Sequence, residues 1–288
     1  MCFRAADSSP DCENRHLFAR APDAGYNPLV MRIIRQPSVY LVGRPSMDES
    51  ELARFLAEHD VAGWTTDTST PAEMLPEIAG RLCYMSFARP RPGGNTAYLG
   101  HIKEVRHGSV LEHAVWNFII TGVSRSFTHE LVRHRAGFGY SQLSQRYVDE
   151  SVADFVEPDC IAENPELHEV WRQAVAHAQD AYVKLVEGLQ QKFANVQDKT
   201  LRRKLARQAA RSVLPNATET KIFVTANARA LRHFVELRCN EHAETEIRVV
   251  AGKILEILKC EAPSIFGDYE LVDLPDGTQA ARTPHGKV

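Results

Sequence analysis

Several familiar sequence signals are missing, and each absence narrows the field. The six cysteines, Cys2, Cys12, Cys83, Cys160, Cys239 and Cys260, are scattered without a CxxC pair. That excludes zinc-ribbon spacing and gives no hint of a disulfide framework. A chain of 288 residues with 44% hydrophobic content is long enough to bury a sizeable core without such staples. The longest apolar stretches, such as 115–123, are far too short to span a bilayer, and the first residues lack the apolar core of a signal peptide. Reduced thiols in a cytoplasmic setting are therefore expected. Charge of one sign is not in excess: the net charge is -3 with 25% charged residues. Bulk attraction to nucleic acid or membrane has no basis in that balance, so a phosphate-bearing ligand has to be held by local basic clusters.

Nucleotide and hydrolase signatures are missing too. No GxGxxG follows a strand, and there is no GxxxxGK[ST] or GxSxG. His129-Glu130-Leu131-Val132-Arg133 misses the zinc-binding HExxH because Arg133 stands in place of the second histidine and His134 comes one residue late. No metal site is expected.

Residues 1–30 are polar, rich in Pro, Asp and Asn, and without periodicity, which reads as a disordered leader. A domain is expected over 31–272, followed by a polar tail over 273–288. Strands are predicted at 38–42, 115–121 and 221–225. Helices are predicted at 48–59, 71–84, 97–106, 124–133, 163–193, 200–213, 228–239 and 245–259. The stretch 89–95 (RPRPGGN) reads as a loop. Helices dominate and the strands are too dispersed for a βαβ array, so the fold class is α+β.

Three polar clusters stand out. The first, 128–147 (THELVRHRAGFGYSQLSQRY), gathers Arg133, His134, Arg135 and Arg146 with Ser141, Gln142, Ser144 and Gln145. Guanidinium forks suit phosphates and carboxylates, and Ser and Gln supply neutral donors and acceptors for a base edge. A solvated loop is the plainer reading. In the second, 201–211 (LRRKLARQAAR), Arg203, Arg207 and Arg211 share one helical face, and Leu205, Ala209 and Val213 form an apolar one. It is either a basic surface or an anion grip. The third, 227–242 (NARALRHFVELRCNEH), offers Asn227 as a helix cap, Arg229 and His233 on one face, and Arg238 beside Val235 and Leu237. A guanidinium in such company needs an anionic partner if buried. Cys239, next to Arg238, is either an inert thiol or an activated one.

In this order the three clusters resemble the flavin-dependent thymidylate synthase family. The resemblance runs from about residue 38 to 269. Its most specific element is the family's RHR-x7-S signature, usually followed by an arginine. Here Arg133-His134-Arg135 is followed by the eight residues 136–143, then Ser144, Gln145 and Arg146. There is one residue more than the signature has, in the Gly137–Gly139 region. Supporting matches are HGSVLEH (107–113), RQAARSVLPNATET (207–220) and RHFVELR (232–238).

The resemblance implies a helix-rich single domain with a central, mostly antiparallel sheet, forming homotetramers whose active sites lie between subunits. It implies FAD at Ser109, Arg133, His134, Arg135, Gln142, Asn227, Arg229 and His233. It implies dUMP at Glu130, Arg133, Gln142, Leu143, Ser144, Gln145, Arg146, Arg211 and Arg238. NADPH and methylene-tetrahydrofolate are the implied co-substrates, and Arg238 is the residue expected to activate the base. Ser144 has the position of a nucleophile, but no general base is evident for it, so it reads as a binder. Two other readings make different demands. A paralogue methylating another pyrimidine nucleotide, such as UMP, would turn over UMP. An RNA-binding protein would be colourless and show steep salt dependence.

Overall fold

The structure is a computed structural model that describes residues 31–288 apart from Pro90; the expected leader lies outside the described residues. In chain order the elements are β1 (Ile33–Ile34), β2 (Ser38–Gly43), α1 (Glu49–Glu58), α2 (Pro71–Cys83), α3 (Gly94–Glu104), a 3-10 turn (Gly108–His113), β3 (Val115–Ser124), α4 (Arg125–Leu131), β4 (Phe138–Gln142), β5 (Phe155–Val156), α5 (Asp159–Ala162), α6 (Pro165–Lys192), α7 (Lys199–Ala210), a 3-10 turn (Arg211–Val213), β6 (Glu219–Asn227), α8 (Ala228–Arg238), α9 (Thr245–Glu261), α10 (Pro263–Phe266), β7 (Glu270–Asp273) and β8 (Gln279–Arg282). This is an α+β architecture.

The centre is an antiparallel sheet in the order β2-β3-β6-β4. On β3, Trp116, Phe118 and Ile120 alternate inward and are fully buried, and Ile222, Val224 and Ala226 of β6 do the same. That period of two sends one face of the sheet into the core. There it meets Leu231, Phe234 and Val235 of α8 and Ile247, Val250, Ile254 and Leu255 of α9. The register of β3 on β6 slips between Ile120 and Val123, where Gly122 takes φ +69° and its N–H donates to Glu219 Oε1 at 2.9 Å. Only glycine adopts that bulge geometry without strain.

Five of the helices start at a side-chain cap. Asp48, Ser124, Asn164, Asp198 and Asn227 each accept a backbone N–H in the first turn of the helix that follows. Helix α3 begins at Gly94, three residues before the expected 97. Helix α7 departs further. The buried residues on it are Ala206 and Ala210, whereas Ala209 and Val213 are exposed. The helix gives way to a 3-10 turn at Arg211, so the expected Leu205–Ala209–Val213 stripe does not form.

Residues 273–288 are not a polar tail. Strands β7 and β8 make a hairpin around Gly277 (φ +76°), and Ala281 N–H donates to Cys239 O at 2.7 Å. Its ends are tied to a buried ionic network. Arg232, 2% exposed, forms a two-pronged pair with Asp268 at 2.8 and 2.9 Å and also donates to His285 O at 2.9 Å. Lys103 Nζ and Thr283 Oγ1 donate to the same carboxylate at 2.7 and 2.5 Å. Burial disfavours the charged form of Asp268, but Arg232, Lys103 and Thr283 outweigh it and hold its pKa far below the ordinary carboxylate range. Removing one member of such a group strands the other charges. Asp268→Ala is therefore expected to cost about 3–5 kcal/mol in chemical denaturation; a loss under about 1 kcal/mol would show that the network is solvated.

Candidate active site

Helix α4 and the turn after it build the first half of the site. Ser124 caps α4 by accepting from Phe127 N–H at 3.1 Å, and its hydroxyl donates to Glu246 Oε2 at 2.6 Å. After Leu131 the chain turns through 132–137 before β4. The Tyr140 hydroxyl clamps that turn, lying 2.9 Å from Leu131 O and 2.7 Å from His134 O. Arg133 and Arg135 are thereby left exposed while His134 between them is buried. Gly137 sits in the turn just before β4. It takes φ +74°, and a Cβ there would meet Ala230 Cβ and Asn227 Nδ2, each at 2.7 Å. Strand β4 then pairs in regular register, Phe138 opposite Ala226 through Gln142 opposite Ile222.

Helix α8 supplies the other wall. Asn227 caps it through Oδ1, accepting from Ala230 N–H at 2.9 Å. At its far end Arg238 donates through Nη1 to Glu130 Oε2 at 2.6 Å and through Nε to His134 Nε2 at 3.0 Å. Its side chain is 21% exposed, so this is a half-buried guanidinium with a carboxylate partner and one terminal nitrogen left over. Because His134 Nε2 accepts, its proton sits on Nδ1. Burial, then the charge of Arg238 and the neighbouring His233, push the His134 pKa down to about 4. A cavity of about 300 Å³ opens here, lined by Arg133, His134, Arg135, Phe138, His233 and Arg238 among others. The rings of Phe138 and His233 lie 5.8 and 6.2 Å from that of His134. Neither Arg133 nor Arg135 is bonded to a carboxylate among the described residues, so the cavity combines flat rings with uncommitted cations. That fits an anionic ring system, and 300 Å³ is at the lower limit for a small-molecule site.

Arg229 lies in the first turn of α8, against the 3-10 turn that carries Ser109. Ser109 is exposed on the 3-10 turn packed against that helix, and Glu112 of the same turn holds Arg229 Nη1 at 2.7 Å. Residues 142–146 follow at the other end of β4. Gln142 Nε2 donates to Thr128 Oγ1 at 3.0 Å, and Leu143 N–H donates to Lys221 O at 2.9 Å. Ser144 O accepts from the N–H groups of Tyr147 and Val148 at 3.1 and 3.0 Å, forming a tight turn. Gln145 is buried, and Arg146 keeps its buried Nε without a partner. On the basic helix Arg207 is paired with Asp149 at 2.6 Å and with Tyr147 O at 2.7 Å, and Arg202 donates to Ala194 O at 3.4 Å. The side chain of Arg211 has no hydrogen-bonded partner among the described residues, while its carbonyl accepts from Leu214 N–H at 3.2 Å. Cys239 is fully buried and its thiol is pushed up to about 11 by burial, which makes it the inert thiol of the two readings.

His134 titrates below its ordinary value, so the unfolded chain binds its proton first. Its contribution to stability is present above about pH 6.5 and is lost as pH falls through about 4. NMR of the ring should show a neutral imidazole at pH 6; a midpoint near 6.5 would mean that the ring is neither buried nor faced by Arg238.

Comparison with known proteins converges on one family. The family model for the thymidylate synthase complementing protein matches residues 66–264. The chain is 52% identical over 233 residues to the flavin-dependent thymidylate synthase of Mycobacteroides abscessus, covering 80% of this chain and 92% of that one. It is 51% identical over 233 residues to that of Mycobacterium tuberculosis, with the same coverage. Among solved structures, the UMP/dUMP methylase PolB from Streptomyces cacaoi, bound with 5-Br UMP, superposes with a TM-score of 0.58 at 21% identity, covering 83% of this chain and 96% of that one; at that identity the likeness is one of fold. With the family model matching most of the chain and relatives at half identity across nearly their whole length, this protein belongs to the flavin-dependent thymidylate synthase family.

Proposed function

We propose that the chain methylates dUMP to dTMP, with FAD as cofactor, methylene-tetrahydrofolate as carbon donor and NADPH as reductant. It does so in the cytoplasm, as a homotetramer whose sites form between subunits. The observation that carries this reading is Arg238. Its permanent charge is fixed by Glu130 and His134 beside a cavity ringed by Arg133 and Arg135.

Carbon 5 of uracil is a poor nucleophile until negative charge can build on the ring. A guanidinium held at the base edge stabilises charge developing on nitrogen 3 and its neighbouring oxygen. Glu130 orients Arg238, and the neutral His134 spends one of its donors without adding a second positive charge. Cys239 cannot add to the ring as a thiolate, because it is fully buried and protonated at neutral pH. The bound flavin supplies the redox chemistry. For it, Arg133 and Arg135 offer charge to the diphosphate, His134, His233 and Phe138 line the pocket, and Ser109, Asn227 and Arg229 edge it. For the nucleotide, Ser144, Arg146 and Arg211 take the phosphate, and Gln142, Leu143 and Gln145 form the floor.

Assembly between subunits is favoured by what borders the site. Val132, Tyr147, Val148 and Leu237 are 37% or more exposed, an apolar rim that a second copy would cover. A water-excluding site also needs walls that one chain does not supply.

Purified protein should carry a flavin spectrum that NADPH bleaches, and dTMP should appear when dUMP and methylene-tetrahydrofolate are added; UMP assayed in parallel tests base and sugar selectivity. Arg238→Ala is expected to retain flavin and fold while turnover falls by roughly 10²–10³. Undiminished turnover in that variant would remove Arg238 from the mechanism.

A further inference from the structure

Helix α4 has only seven residues and carries Glu130 in its last turn, so the place of that carboxylate depends on how the other end of the helix is held. Ser124, the cap, is 4% exposed. Both carboxylate oxygens of Glu246 are spent on it: Ser124 N–H donates to Oε1 and the Ser124 hydroxyl to Oε2, each at 2.6 Å. The same hydroxyl accepts from Phe127 N–H at 3.1 Å, so the grip of Glu246 runs on into the first turn of the helix. Arg125 N–H and Ser126 N–H donate to Thr218 O and Asn216 O at 3.0 and 3.2 Å, which ties α4 to the chain entering β6. Glu246 ties it to a different element, the first turn of α9.

Helix α9 continues from the element that carries Arg238. Helix α8 ends at Arg238 and α9 begins at Thr245, and Ala243 N–H donates to Asn240 O at 3.0 Å in the turn between them. Helix α4 and the segment 238–246 are therefore joined twice. At one end Arg238 holds Glu130 at 2.6 Å, and at the other Glu246 holds Ser124. Six residues separate Ser124 from Glu130, about 9 Å of helix. Burial disfavours the charged form of Glu246, and the two donors of Ser124 oppose this. Among the described residues Glu246 makes no ion pair. A half-buried carboxylate without a cation is costly, and α4 already has its cap in Ser124. What Glu246 adds is a fixed distance between α4 and α9.

We propose that Glu246 is a positioning residue for the reaction: by gripping Ser124 it sets the place of α4 and so holds Glu130 where it orients Arg238 on the base. This rests on the reading of Arg238 as the group that activates the base.

The test is turnover of dUMP by the flavin-loaded enzyme in Glu246→Ala, Glu130→Gln and the two combined, with Arg238→Ala alongside. Glu246→Ala should lower kcat about tenfold, the effect of a small misplacement, while flavin content is retained and the KM for dUMP stays within about threefold. Because Glu246 acts through Glu130, the double variant should be within about twofold of Glu130→Gln alone. Losses that multiply would mean that Glu246 serves the fold in general, and the proposal fails. Wild-type kcat in Glu246→Ala also overturns it; if Arg238→Ala still loses turnover, the wider reading stands. If Arg238→Ala keeps full turnover, there is no activating arginine to position and both ideas fail. Should Glu246→Ala not fold, Glu246→Asp decides: with the carboxylate kept and its reach shortened by one methylene, kcat should fall several-fold, and wild-type kcat overturns the proposal.

Discussion

The pairing of Arg238 with Glu130, closed by His134, is the constraint on which the rest of the site depends. It joins the last residue of α8 to the last turn of α4, two helices that reach the sheet from opposite directions. A guanidinium has to be held firmly to act on a base edge, since a donor that must reorganise during reaction loses most of its value. Glu130 provides the charge that makes partial burial tolerable. His134 provides an acceptor that stays neutral, because its own burial and the adjacent cation both disfavour protonation. Position adds a smaller effect: a cation at the end of a helix faces the carbonyls of its last turn.

Around this point the fold distributes its charges by location. Helix α4 carries Glu130 toward the cavity with Arg133, Arg135 and His233. Strand β4 separates His134 at its entry from Ser144 and Arg146 at its exit, a span of roughly 14 Å over five residues. Arginines needed only for architecture are neutralised within the chain, as Arg232 is by Asp268 and Arg207 by Asp149. Of those assigned to ligands, Arg133 and Arg135 make no ion pair among the described residues, whereas Arg238 and Arg229 are held by Glu130 and Glu112.

Much of this was legible in the sequence, and the failures have physical causes. Helix ends set by side-chain caps, such as Ser124 and Asn227, fell within a residue or two of expectation, because a cap is a local interaction written in adjacent residues. The RHR segment, the SQLSQRY stretch and RHFVELR were recognised in order, and the family match bears that out. Strand β4 was not anticipated. Phe138-Gly139-Tyr140-Ser141-Gln142 has no β-branched residue, and only its pairing with β6 makes it a strand. The β7–β8 hairpin was passed over as tail, although Pro275-Asp276-Gly277 between short runs carried a turn signal. On α7 the apolar stripe was placed one residue out of phase, because alanine is equally at ease on either face.

Whether each site is shared between chains is tested most directly by assembling two inactive variants together. Chains carrying Arg211→Ala and chains carrying Arg238→Ala are co-expressed with different tags, and only mixed assemblies are kept. If the phosphate grip of one subunit serves the base-activating arginine of another, random pairing rebuilds about a quarter of the sites, and dTMP synthesis returns to a corresponding fraction of wild type. If both arginines act on one nucleotide within a single chain, every chain holds one lesion and the mixture stays as inactive as its parents.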